Sequence, residues 1–171
     1  MTEAATEFSR LVPLMRLGSE PFFQHIAANE AERSALARRF DLVSLDRLEA
    51  DIEIKPEAAS TFLLTAQFAA DFAQECIVTL DSVPGSISEC FALRYGRPEA
   101  EDDAPSGDED PAFQPLEGET IDIGEAVAQE FSLALPSFPR APDAMVETSE
   151  DESPDDGPFA VLKRFRADES Q

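Results

Sequence analysis

The sequence predicts an α+β fold: an antiparallel meander sheet of about five strands, with two main helices packed on it. Three observations predict it. Alternating apolar residues recur at Phe62, Leu64, Ala66, Phe68, Ala70 and Phe72, the period of a half-buried strand. Further period-two runs flank them with short links, which favours consecutive antiparallel pairing. Two segments carry helix-start signals ahead of apolar residues at helical spacing.

Phe8 to Leu17 reads as a strand in which Pro13 favours an edge, because proline cannot donate to a ladder. Pro21 to Ala28 reads as a connection. Asn29, with Glu32 three residues on, forms a capping box, and Leu36 and Phe40 share one face of the helix that follows. Leu48, Ala50, Ile52 and Ile54 alternate in the next strand. Cys76 to Leu80 reads as a short strand. Val83-Pro84-Gly85-Ser86 carries type II turn chemistry and predicts a hairpin with Ile87, Phe91, Leu93 and Tyr95 on its far arm. Asp122 and Glu125 form a second capping box. Ile123, Val127, Phe131 and Leu135 make the stripe of that helix, which Pro136 stops. Pro158 to Phe165 reads as a docking helix turn.

At 171 residues the chain is one domain's worth, and we expect a single domain over 1–171. Two acidic runs interrupt it. Glu99 to Asp110 holds seven acids in twelve residues, and Glu147 to Asp156 holds six in ten. Neither carries enough apolar surface to offset the entropy of ordering, so flexible loops are expected at about 99–116 and 144–157.

The chain has 36 acidic residues against 13 Lys and Arg, a net charge of −23. That opposes general binding to nucleic acid or anionic membrane, whose phosphates are gripped by clustered cations. A charge of this sign suits a basic protein partner, with encounter that weakens in salt. The N-terminus lacks the basic start and apolar run of a secretory signal, and no run approaches the roughly 18 apolar residues of a membrane span. Two cysteines fit a reducing cytoplasm.

The candidates for chemistry are few. His25 is the one histidine and lies among Phe22 and Phe23 without a nucleophile motif nearby. Neither a phosphate-binding loop nor a metalloprotease motif is present. Cys76 and Cys90 could pair, or supply half a metal site. A turn at Pro84-Gly85 would set Cys76 against Leu93 and Cys90 against Thr79, with the thiols on opposite faces. The acidic runs lack the alternating spacing of a calcium loop. We therefore expect no catalytic residue, metal, cofactor or small-molecule substrate. Arg33, Arg38 and Arg39, with Arg10 and Arg16, form the candidate partner-binding patch. It could contact RNA phosphate, although Glu30 and Glu32 lie within ion-pair reach.

Five segments in order carry a family resemblance: EFSRLVPLMRLG (7–18), ANEAERSALARRFDLVSLDRLEA (28–50), QECIVTLDSVPGSISECFALRYG (74–96), IDIGEAVAQEFSLALPSFPR (121–140) and GPFAVLKRF (157–165). The chain resembles the YceD family of large ribosomal RNA subunit accumulation proteins, in a form typical of alphaproteobacteria. The resemblance implies a non-enzymatic ribosome biogenesis factor that supports accumulation or maturation of 23S ribosomal RNA. The partner it implies is a basic ribosomal protein or a large-subunit assembly intermediate. An acidic chaperone-like module for a basic protein is the alternative, and a nuclease a distant third. Many members look like C-x-x-C where this chain has Cys76-Ile77-Val78-Thr79, so Thr79 stands at the second cysteine.

Overall fold

The computed structural model describes residues 7–57, 61–97, 110–116 and 118–145. Both acidic runs, apart from Asp110, and the segment 158–165 lie outside the described residues. The chain divides into two units, Met1–Ala141 and Pro142–Gln171. Of the second, residues 142–145 are described and hold a turn without helix or strand.

The first unit runs β1 (Leu11–Pro13), a 3-10 turn (Leu14–Arg16), β2 (Phe22–Ala27), α1 (Glu30–Arg39), β3 (Ser44–Pro56), β4 (Phe62–Glu75), β5 (Ser82–Gly96), β6 (Ala112–Pro115), β7 (Thr120–Asp122) and α2 (Ile123–Ala134). The main sheet has the order β2-β3-β4-β5-β6, and β1 pairs with β7 in a separate two-stranded ribbon. Strands β2 to β5 pair antiparallel in chain order, with β2 and β3 joined through α1, so the expected meander holds in part. The fifth strand does not continue it, because β6 lies parallel to β5 over Leu93–Gly96. A parallel neighbour needs a crossover rather than a tight turn. Residues 112–115, at the end of the expected 99–116 loop, are thus strand.

Alternation is what builds the core. On β3 and β4 the even-numbered residues Leu48, Ala50, Ile52, Ile54, Leu64, Ala66, Phe68, Ala70 and Phe72 are all buried. Onto this face α2 lowers Phe131, which is fully buried. Its ring meets Phe72 at 5.7 Å, Phe40 at 5.9 Å and Phe68 at 6.4 Å, each edge to face, the arrangement the ring quadrupole favours. The first helix buries Leu36 fully on the same core.

Both helix starts are capped from the side chain. Asn29 accepts from Glu32 N–H at 3.0 Å, and Glu32 Oε2 accepts from Asn29 N–H at 2.8 Å, the expected capping box. Asp122 caps α2 by accepting from Gly124 and Glu125 N–H at 3.1 and 3.2 Å. The other half of that expected box goes elsewhere, because the Glu125 carboxylate pairs with Arg39.

Three expectations are corrected. Pro21 to Ala28 is not a connection, since Phe22–Ala27 forms edge strand β2 on β3. Cys76 to Leu80 is not a strand but the loop of the β4–β5 hairpin, closed by Cys76 N–H to Asp81 O at 2.8 Å. Val83-Pro84-Gly85-Ser86 is not a turn and lies inside β5. Pro84 is tolerated because β5 has a neighbour on one side only at that point. Gly85 is needed because a Cβ there would lie 2.8 Å from the Phe72 ring opposite. The strand read over Phe8 to Leu17 shortens to Leu11–Pro13, with Pro13 in a strand that has one partner.

Gly124 sits in the first turn of α2, where a Cβ would lie 2.5 Å from Phe8 O and 3.0 Å from Arg10 N. Alanine normally stabilises a helix by about 1 kcal/mol over glycine. Here the backbone contact reverses the sign, and Gly124→Ala is expected to destabilise by about 1–3 kcal/mol in denaturant titration. Phe131→Ala is expected to cost about 3–5 kcal/mol, as a large buried aromatic left unfilled.

Candidate functional site

The arginines of α1 have different fates. Arg39 grips Glu125 with both terminal nitrogens, at 2.9 and 2.7 Å, and reaches Glu7 at 3.1 Å. It also stacks over Phe40 at 5.2 Å, so it ties the two helices together. Arg10 grips Glu32 in the same bidentate way, at 2.7 and 2.9 Å. Arg33 donates to Ala28 O at 2.8 Å, and Arg16 lies over the Phe22 ring at 5.5 Å. Arg33 and Arg38 line a shallow polar cavity of about 490 Å³ with Ser34, Val43 and Asp46. The structure therefore brings Arg33 and Arg38 to one cavity and places Arg39 in an ion-pair network.

These pairs shift titrations. The hydrogen bond from Arg10 holds the Glu32 carboxyl below its ordinary 4.5, against the opposing effect of burial. The hydrogen bond from Arg39 does the same for Glu125. The largest upward influence on Arg39 is the hydrogen bond to Glu125.

The second feature is the face of the main sheet turned away from the helices. Cross-strand register aligns two rows there: Phe23, Glu53, Thr65 and Ala92, then His25, Asp51, Gln67 and Cys90. Between them lies a concavity of about 600 Å³ with a largely apolar lining. Phe23 stands 69% exposed at its β2 end. His25 is exposed and its Nδ1 lies 2.8 Å from Asp51 Oδ1. It sits beside this groove, not within a nucleophile–base pair. The sequence does not disclose the groove, because the segment that becomes β2 reads as a connection. The signal available was the alternation Phe22, Gln24, Ile26 against Phe23, His25, Ala27.

The third feature is the β4–β5 loop. Cys76 is buried, and its Sγ accepts from Thr79 N–H at 3.4 Å and Ala141 N–H at 3.3 Å. The Thr79 side chain, then these backbone donors, pull the thiol down to about 6 against burial. Thr79 thus serves as a donor to the sulfur. Cys90 is exposed on the outer sheet face opposite Gln67, and both thiols are free. Cys76 lies in the loop beyond the end of the ladder and Cys90 lies within β5, and the pairings expected from a Pro84-Gly85 turn are replaced by Leu64 with Leu93 and Gln67 with Cys90. Among the described residues no group of three His, Cys, Asp or Glu could hold a metal ion. Among them, too, no helix is long and apolar enough to cross a membrane.

The family described as "Large ribosomal RNA subunit accumulation protein YceD" matches residues 64–166. The chain belongs to the YceD family. No curated protein and no solved structure matches it. The YceD match starts in β4 and takes in β5, β6, β7 and α2. It contains the Cys76 loop and the Thr65, Gln67, Cys90 and Ala92 side of the groove. Arg33, Arg38 and Arg39, with β2 and β3, precede it.

Glu32 and Glu125 have folded pKa values below their unfolded ones, so each contributes stability that is complete above about pH 5 and is lost as pH falls through and below 4.5. The double variant Glu32→Gln/Glu125→Gln is expected to show a flatter fall in stability between about pH 5 and 3 by denaturant titration. Thiol labelling of the native protein is expected to modify Cys90 rapidly and Cys76 only on unfolding, given their exposure.

Proposed function

We propose that this protein supports accumulation of the large-subunit ribosomal RNA by binding a basic ribosomal protein, alone or within an assembly intermediate, without performing a reaction. The observation that carries this reading is the YceD family match over 64–166, whose name places the family in large ribosomal RNA subunit accumulation. The net charge of −23 supports a cationic partner over bare RNA. The cation inventory points the same way. Arg39 and Arg10 are engaged by Glu125 and Glu32, and Arg33 donates to Ala28 O, so of the α1 arginines only Arg33 and Arg38 at their cavity remain to meet a partner, too few cations to grip an RNA backbone. Such a factor works where ribosomes are assembled, in the cytoplasm.

The charge also favours a second reading, an acidic chaperone-like module that shields a basic protein and affects RNA only indirectly. Deleting the gene is expected to lower mature 23S relative to 16S RNA in growing cells, and an unchanged ratio overturns the first reading. Recovery of the tagged protein's partner after RNase treatment, with loss in high salt, is expected for a protein-held complex. Recovery abolished by RNase indicates an RNA-held one.

A further inference from the structure

We infer that the groove on the outer face of the main sheet, between Phe23 on β2 and Cys90 and Ala92 on β5, is the docking site for a short extended segment of a basic protein. The inference deepens the reading above and rests on it.

Shape supplies the first argument. Strands lie about 4.8 Å apart, so β2 to β5 spans roughly 14 Å, the reach of about four extended residues. The floor is made of short side chains, Thr65 and Ala92, and Phe23 stands as an exposed wall at one end. An apolar side chain laid on that floor would remove Phe23 from water, which favours the docked state. Among the described residues no element covers this face, and Gln67, Asp51 and Cys90 are exposed.

Charge supplies the second argument and selects the occupant. Glu49, Asp51 and Glu53 recur every second residue on β3, so all three carboxylates project on the outer face about 7 Å apart. Asp71 joins them from β4. Two permanent cations answer these four: Arg47 bridges Asp71 and Glu49 at 2.7 Å each, and Lys55 holds Glu53 at 2.7 Å. Arg94, on the same face, is already taken by Glu57. Asp51 is left with His25, and its side chain is 79% exposed at the mouth of the groove. A lysine or arginine flanking the docked apolar residue meets Asp51 with Glu53 close behind. A nucleic-acid backbone would meet like charge there, and so would a second copy of this acidic chain.

Cys90 makes the inference testable, because it is an exposed thiol lining the groove while Cys76 is buried. The full-length protein, labelled at Cys90 with a benzophenone maleimide, is mixed at low salt with proteins extracted from purified large ribosomal subunits and irradiated. The crosslink is expected in a Lys- or Arg-rich segment of one ribosomal protein. Asp51→Lys, and separately Ala92→Gln to fill the groove, are expected to weaken binding of that protein at least about tenfold. Glu89→Lys makes the same charge change on the opposite face of β5 and is expected to weaken it less than about twofold. Circular dichroism checks that each variant is folded. Equal weakening by Asp51→Lys and Glu89→Lys, or a crosslink to RNA or to a second copy, overturns the groove while leaving the family function intact. Absence of binding to every large-subunit protein, with or without variants, overturns the partner reading on which the groove depends.

Discussion

Burial of one face of β3 and β4 is the constraint from which the rest of the structure follows. Their even-numbered side chains from Leu48 to Ile54 and from Leu64 to Phe72 are sealed from water, and Phe131 of α2 closes that layer through three aromatic contacts. A slip of one residue in β3 would exchange Leu48, Ala50, Ile52 and Ile54 for charged side chains, and in β4 it would bring Thr65, Gln67 and Asp71 into the core. The register is therefore fixed, and with it the identity of the outer face. Glu49, Asp51 and Glu53 are held in a row because Leu48, Ala50, Ile52 and Ile54 must point the other way.

The second organising element is how few cations there are and where they are used. The chain has 13 basic residues, and several are consumed in holding the body together. Arg39 joins α1 to α2 through Glu125, and Arg10 joins the N-terminal segment to the start of α1 through Glu32. These are bidentate and half-buried, so they position elements more firmly than exposed pairs do. The consequence is electrostatic. Arg10 and Arg39 are drawn into the seams between elements, and on the outer sheet face Arg47 and Lys55 are outnumbered by carboxylates.

The long elements were legible in the sequence because their signals are redundant. The alternation from Phe62 to Phe72 spans a whole strand, and Asn29 with Glu32 specifies a helix start by chemistry as well as position. What was not legible came from signals that tertiary context overrides. Pro84-Gly85 has the composition of a turn, yet Gly85 is there to admit the Phe72 ring. Cys76 to Leu80 is apolar and β-branched like a strand, yet Leu80 takes φ of 62° and the chain reverses there. Asp122 and Glu125 have capping-box spacing, yet a distant arginine outcompetes the local donor for Glu125. The candidate site suffered from the same cause. The α1 arginines could be named from sequence, but not that Arg39 is committed to a helix 86 residues away. The groove needed β2, whose six residues mix Phe with Gln and His and give a weak period.

The pairing of β1 with β7 joins Leu11 to Asp122, and Gly124 packs against the carbonyl of Phe8. During synthesis the first of these segments emerges long before its partner exists. The meander from β2 to β5 is built from successive neighbours and can assemble as it leaves the ribosome. The N-terminal segment has to wait, with Phe8 and Val12 in water, until some 110 further residues have been added. Closing the ribbon is then the step that waits on synthesis, because an early segment can be clasped only by a much later one.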